Sequence, residues 1–371
     1  MINSRKILYI YNAPLQQVAG ADRVNIRNGQ LLSKTTHFIV NYEIRPAESN
    51  KVKTLYNLLR GYCCGIRKEI VSEIITIIKS ESIEIVFLCS SKIGVMSRIL
   101  SNIFPKIKII TFFHNIEKQY GDELLKTSYS IKNKFINRVI EKNEQYAISY
   151  SNFLITMNQR DNHLLSQLYN KNSDLILPLG FTDIYCKECY NSKFDDVDRK
   201  LNLLFVGSAF FANINGLTWF INKVFPHLHN VEINIIGKNM NQYFSSSENK
   251  LNNTSINVVG YVENLTEVYD NAHVVISPIF DGGGMKTKTA EAMMYGCPII
   301  GTKEAFQGYD LDFKRIGALC NTAIDFISAI NSIRKSREEL VSKSQYARFM
   351  FLKYYETNAL VNKVQHFIDC I

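Results

Sequence analysis

Apolar residues fall in short runs of strand length at Ile7–Tyr11, His37–Val40, Ile85–Cys89, Ile107–Phe112, Phe153–Thr156 and Leu175–Leu177. Between them the pattern changes to a helical one. In Ile66–Lys79, residues Ile66, Ile70, Ile74, Ile77 and Ile78 recur at the spacing of one helix face. The rhythm restarts at Leu201–Val206 and continues through Val231–Ile236, Ile256–Val259, Val274–Ile279 and Ile299–Ile300. Strands alternating with helices predict parallel sheets covered on both faces, an α/β architecture. The polar, charge-rich stretch Thr182–Lys200 separates the two series. The expectation is therefore two doubly wound domains, 1–181 and 201–351, joined by a linker at 182–200. The tail ends in an amphipathic pattern, with Leu360, Val361, Val364, Phe367 and Ile368 on one helical face.

Composition narrows the class. The 371 residues are 46% hydrophobic and 21% charged, as expected of a soluble globular chain large enough for two cores. No stretch reaches the roughly 18 to 20 apolar residues that span a bilayer. The start, Met1 to Lys6, runs straight into an apolar strand without a signal-peptide core, which points to the cytoplasm. Among the cysteines only Cys186 and Cys189 form a C-x-x-C, with no second pair or nearby histidine, so reduced thiols rather than a zinc site are expected.

The charge is unevenly placed. Residues 1–180 carry 24 Lys/Arg against 14 Asp/Glu, whereas residues 181–371 carry 19 against 20. A basic first half implies an anionic partner, whether nucleic acid, an acidic membrane surface or a phosphorylated substrate. The basic residues lack regular aromatic interleaving, which disfavours nucleic acid. The mixed basic and apolar stretches Ser91–Lys108 and Ser130–Lys142 suit a membrane-surface patch and equally a solvated helix face.

Candidate chemistry gathers in the second half. Its strands run directly into glycine at Gly207-Ser208, Gly237 and Gly260, and Pro278 leads into Asp281-Gly-Gly-Gly284. Ligands bind open α/β sheets at strand carboxyl ends, where glycine admits them to the backbone. In Ser277–Thr302 (SPIFDGGGMKTKTAEAMMYGCPIIGT), Lys286–Tyr295 reads as a short helix stopped by Gly296 and Pro298. Free amides at such a helix start bind phosphate. Lys286 and Lys288 oppose the helix dipole there, and an anionic ligand gives them a reason to be present. Glu291, one turn on, can accept hydrogen bonds from vicinal hydroxyls such as those of a ribose, or else pair with Lys288 at i, i+3.

This segment resembles the nucleotide-sugar signature of glycosyltransferase family 4, retaining enzymes with the GT-B fold. It is similar to the subgroup reading G-G-G-x-(K/R)-x-K-x-x-E-A-(M/L) followed by G-x-P-(V/I), here Gly282–Gly284, Lys286, Lys288, Glu291-Ala-Met293, Gly296 and Pro298-Ile-Ile300. Looser echoes are Phe205-Val-Gly-Ser208 with Asn213 and Asn215-Gly216, Gly260-Tyr-Val262 with Asn264-Leu265 and Tyr269, Pro178-Leu-Gly180 with Asp183, and His114-Asn115. The resemblance implies two Rossmann-like domains facing across a cleft, with a C-terminal helix at about 352–371 crossing back to the first. It implies a nucleotide-sugar donor, no metal, and a glycan or lipid-linked acceptor, with possible contact to an anionic membrane. It implies catalytic roles for His114, Lys286 and Glu291. The donor would meet Gly20, Arg23, Gly207, Ser208, Gly237, Gly260, Tyr261, Val262, Leu265, Asp281, Gly283, Gly284, Met285, Lys286, Thr287, Lys288 and Glu291.

Two departures stand out. Many family members carry a first glutamate eight positions before Glu291, and here that position is Gly283, leaving Asp281 as a substitute. The Arg and Lys-Gly expected after the first donor-domain strand are missing from Phe210–Gly216. A nucleotide-sugar epimerase of the same shape and a non-catalytic scaffold subunit are the competing expectations.

Overall fold

The computed structural model describes residues 4–12, 20–45, 51–127, 130–185, 192–195, 200–246, 253–281 and 285–371. Within helices, the side chains of residues 20–23, 51, 123–124, 126–127 and 192 also lie outside the description. The chain divides into two compact units, Met1–Leu179 with Leu360–Ile371, and Gly180–Ala359.

The first unit is built on strands β1 (Lys6–Asn12), β2 (Phe38–Ile44), β3 (Ile85–Leu88), β4 (Lys108–Phe113), β5 (Phe153–Thr156) and β6 (Leu175–Ile176). They form one sheet in the order β2-β1-β3-β4-β5-β6, every pairing parallel. The second unit carries β7 (Leu201–Val206), β8 (Val231–Ile236), β9 (Ile256–Gly260), β10 (Val274–Ser277), β11 (Ile299–Gly301) and β12 (Gly317–Leu319). Their order is β12-β11-β10-β7-β8-β9, again all parallel. The strand runs of the sequence thus correspond to strands. The addition is β12, whose three residues are too few to leave a periodic signal.

The inner strands of both sheets are buried on both faces, which is why they read as continuous apolar runs, whereas the edge strands β2 and β9 are largely exposed or half-buried. Along β7, Leu203 and Phe205 enter one core while Leu204 enters the other. Along β10, Val274 and Ile276 join the first of these and Val275 the second. In the first unit the helix Lys68–Ser80 turns Ile70, Ile74 and Ile78 onto Leu8, Ile10, Val86 and Leu88. In the stretch 91–108, Ile93, Val95, Met96 and Leu100 lie in this core, whereas Ile103 is exposed.

The C-terminal helix Thr357–Asp369 belongs to the first unit from Leu360 onward. Leu360, Val364 and Ile368 form its buried stripe. Phe367 meets the Phe153 ring edge-on at 5.7 Å. Lys363 Nζ donates to the Ile176 carbonyl at 2.7 Å, and the Thr36 amide donates to Gln365 Oε1, also at 2.7 Å. The described part of the charge-rich stretch 182–200 packs on the second unit. Arg348 binds both carboxylate oxygens of Asp183 and donates to the Tyr185 carbonyl at 2.9 Å, while Phe194 is buried in the core.

One close approach fixes the rim of the second sheet. Gly216, on the helix Phe211–Lys223, lies against the strand end of β10: a Cβ there would stand 1.8 Å from the Pro278 carbonyl oxygen. Backbone cannot swing aside as a side chain can. Gly216→Ala should therefore destabilise the second unit by about 1–3 kcal/mol, the usual cost of overpacking. Urea unfolding checks this, and an unchanged midpoint would show that the helix can retreat freely.

Candidate functional site

In the second sheet the strand order reverses between β7 and β10, so the crevice that such a reversal creates opens at their carboxyl ends. Glycines line this edge. The Gly207 amide donates to the Ile236 carbonyl at 2.8 Å, and the Gly237 amide to the Gly260 carbonyl at 2.6 Å. The glycines after β7 and β8 thus continue the sheet by one rung without side chains, and Gly260 ends β9. Gly237 has no room for one, since a Cβ would lie 1.8 Å from the Gly207 carbonyl oxygen. Gly260, at φ +87°, sits in the left-handed region and faces the Asn241 side chain.

The gap at Gly207 holds a cation. A Cβ there would lie 3.0 Å from Lys288 Nζ and 2.8 Å from Asn213 Nδ2. Lys288 donates to Asn213 Oδ1 at 2.7 Å, and its ammonium stands 4.5 Å from the centre of the Phe205 ring. Burial, with Lys286 adding repulsion and Glu291 opposing, pushes its pKa down to about 7. An arriving anion would favour the charged form. Lys288 is thus directed at Asn213 rather than at an i, i+3 partner.

Lys288 belongs to the helix Thr287–Met294, whose N-cap, Lys286, offers its first turn no side-chain hydrogen bond. Two contacts anchor its start. The Tyr309 hydroxyl donates to the Lys286 carbonyl at 2.7 Å, and Lys286 Nζ pairs with Glu304 Oε1 at 2.6 Å. Glu291, partly exposed one turn on, contributes its charge to the surroundings of Tyr269, Tyr295 and Tyr309. Below it the Tyr269 and Tyr295 rings stack at 4.4 Å.

Of the other expected donor contacts, Tyr261, Ser208 and Asp281 are exposed, Thr287 is partly exposed, and Val262, Leu265 and Met285 pack against the core. Gly283 and Gly284 lie outside the described residues. Gly20 opens the helix Gly20–Ser33, and the Arg23 side chain lies outside the description. Sequence reading did not foresee Glu304 as a partner of Lys286. The two are 18 residues apart in different loops, and no local pattern links them.

In the first unit His114 follows β4. Asn25 Nδ2 donates to the Asn12 carbonyl at 3.4 Å, which turns Asn25 Oδ1 toward His114 Nε2 at 3.1 Å. Nε2 is therefore the protonated nitrogen and Nδ1 carries the lone pair. Burial, with Lys92 and Arg27 nearby, lowers the pKa of His114 to about 3, so the ring is neutral at physiological pH. Among the described residues, no group of three or more His, Cys, Asp or Glu could hold a metal ion, and no helix is long and apolar enough to cross a membrane.

Comparison with known proteins bears on the fold and the family. The family model described as "Glycosyl transferases group 1" matches residues 200–335. A protein described as "Uncharacterized 44.6 kDa protein in cps region" of Klebsiella pneumoniae is 25% identical over 155 residues, 39% of this chain and 40% of that protein's length. The crystal structure of Anabaena Alr3699/HepE in complex with UDP is similar at TM-score 0.67 and 12% identity, over 99% of this chain and 100% of that one. The lipopolysaccharide outer core galactosyltransferase WaaB is similar at TM-score 0.66 and 12% identity, with the same coverage. The fold is that of the GT-B glycosyltransferases, and the family match supports a glycosyltransferase.

Lys288 gives a pH signature. Its folded pKa of about 7 lies below the ordinary 10.5. Between these values the unfolded chain holds more protons at this site than the folded one, so its contribution to stability rises with pH across that window. Lys288→Met should flatten that rise relative to the unaltered protein. Urea midpoints between about pH 7 and about pH 10 decide the matter, and identical slopes would place an ordinary, solvated lysine here.

Proposed function

We propose that the protein is a retaining, metal-independent glycosyltransferase of family 4. It moves a sugar from a nucleotide-sugar donor to a hydroxyl of a growing or lipid-linked surface polysaccharide. The observation that carries this reading is the lodging of Lys288 Nζ at the glycine-lined end of β7, one helical turn from Glu291. The cps-region and lipopolysaccharide relatives favour a surface polysaccharide, and the neighbour solved with UDP favours a nucleotide donor.

In this reading the diphosphate lies along the Gly207 edge against Lys288 and the open first turn of its helix. Negative charge developing on the leaving phosphate meets a preorganised cation. Lys286 exchanges Glu304 for a phosphate oxygen. Glu291 accepts the ribose hydroxyls, and Gly260, Tyr261 and Val262 border the base. His114, with Nε2–H committed to Asn25, accepts a sugar hydroxyl at Nδ1. The acceptor hydroxyl attacks from the face the phosphate leaves, and the departing phosphate takes its proton, so configuration is retained. The basic first half favours action at the inner face of an anionic membrane.

A thermal-shift panel of UDP, GDP, dTDP and ADP sugars tests the donor, since a ligand that binds only the folded state stabilises it. Glu291→Ala should weaken the best nucleotide roughly ten- to a hundredfold, the loss of about 1.5–3 kcal/mol from hydrogen bonds to a charged group. Donor turnover that is complete without any acceptor would favour the epimerase. Unimpaired polysaccharide synthesis by Glu291→Ala and Lys286→Ala in a complemented knockout would favour a scaffold.

A further inference from the structure

The first unit contains a charge that the proposed chemistry does not use. Arg27 lies on the helix Gly20–Ser33 and is 7% exposed. Its Nε, Nη1 and Nη2 are all buried, and none has a hydrogen-bond partner among the described residues. The Phe112 ring stands 5.9 Å from the guanidinium carbon. The nearby Cys89 sulfur already accepts from the Tyr9 hydroxyl at 2.8 Å and from Asn28 Nδ2 at 3.2 Å. The next cation, Lys92, is balanced by Glu117 at 3.3 Å. Segment 13–19, outside the described residues, contains no Asp or Glu, and Asp22, whose side chain is also outside the description, stands five residues before Arg27, off the i, i+3 and i, i+4 spacing at which helical side chains meet. A guanidinium stays charged when buried, and an unpaired buried charge is among the most costly arrangements a fold can keep.

The location is informative. The first sheet reverses strand order between β1 and β3, and Cys89 directly follows β3. Asn28 Oδ1, on the residue after Arg27, whose Nδ2 shares the Cys89 sulfur, is also buried and lacks a partner among the described residues. A guanidinium with an amide oxygen free to accept from a hydroxyl on the following residue matches a ligand that carries both an oxyanion and a hydroxyl group.

We infer that Arg27 seats the anionic group, phosphate or carboxylate, of a hydroxyl-bearing ligand at the strand-end crevice of the first unit, and that this ligand is the glycosyl acceptor. Only the word acceptor rests on the glycosyl-transfer reading.

The test uses the full chain with UDP present throughout, so that a diphosphate site on the second unit is filled. Melting temperatures are read in inorganic phosphate, glucose 1-phosphate, glucuronate, glucose and chloride at equal ionic strength. At least one of the first three should stabilise the unaltered protein while glucose does not, and the phosphate and glucuronate arms separate the two anion types. Arg27→Met should weaken that response at least tenfold, Arg27→Lys should keep part of it, and the ligand-free Met variant should melt no lower than the unaltered protein. If the Met variant does not fold, Arg27→Gln takes its place. The inference is overturned if no anion stabilises the unaltered protein, or if the Met or Gln variant responds undiminished. A Met variant that melts well below the unaltered protein, with anions without effect on either, assigns the guanidinium to the Cys89 sulfur and also overturns it. The shift caused by UDP itself is read separately, and its absence counts against the glycosyltransferase reading alone.

Discussion

Because every strand pairing is parallel, all strand carboxyl ends of a sheet emerge along one edge, and that edge must be kept open for anything to bind there. In the second unit the constraint is met by removing side chains. Gly207 and Gly237 prolong β7 and β8 by a rung with no Cβ, Gly260 ends β9, and Gly216 lets the helix after β7 close on the Pro278 carbonyl. Lys288 can reach the end of β7 because Gly207 is there. Its lowered pKa is a consequence of being packed into that space, against Phe205 and Asn213.

The two units meet the same constraint with different chemistry. In the second unit the strand-end cations have partners to exchange, Lys286 with Glu304 and Lys288 with Asn213. In the first unit Arg27 has none among the described residues. A cation with a ready protein partner can bind and release a departing group at modest cost. A cation without one leaves the fold carrying the desolvation cost of a buried charge. The neutral His114, its tautomer set by Asn25, lies in that first neighbourhood.

Legibility differed between fold and site. The inner strands were plain in sequence because burial on both faces requires unbroken apolar runs, and β12 escaped because three residues carry no period. The glycine row was legible one strand at a time, since each glycine follows its own apolar run. Lys286, Lys288 and Glu291 stood out because they share one short helix, where spacing in sequence is spacing in space. The pairings of these residues were not legible. Lys286 meets Glu304 and Lys288 meets Asn213 across segments far apart in the chain.

The sequence by itself determined two α/β series, the direction of their sheets and the segment that carries the cations, because each of these is written in local periodicity. Tertiary structure alone decided which strands neighbour one another, and hence that order reverses between β7 and β10 and between β1 and β3. It alone placed the residues after Asp183 on the second unit through Arg348, and the final helix on the first. It alone left Arg27 buried without a hydrogen-bond partner among the described residues. These outcomes depend on which distant segments share the same volume, and burial and charge balance are properties of that volume rather than of any stretch of chain.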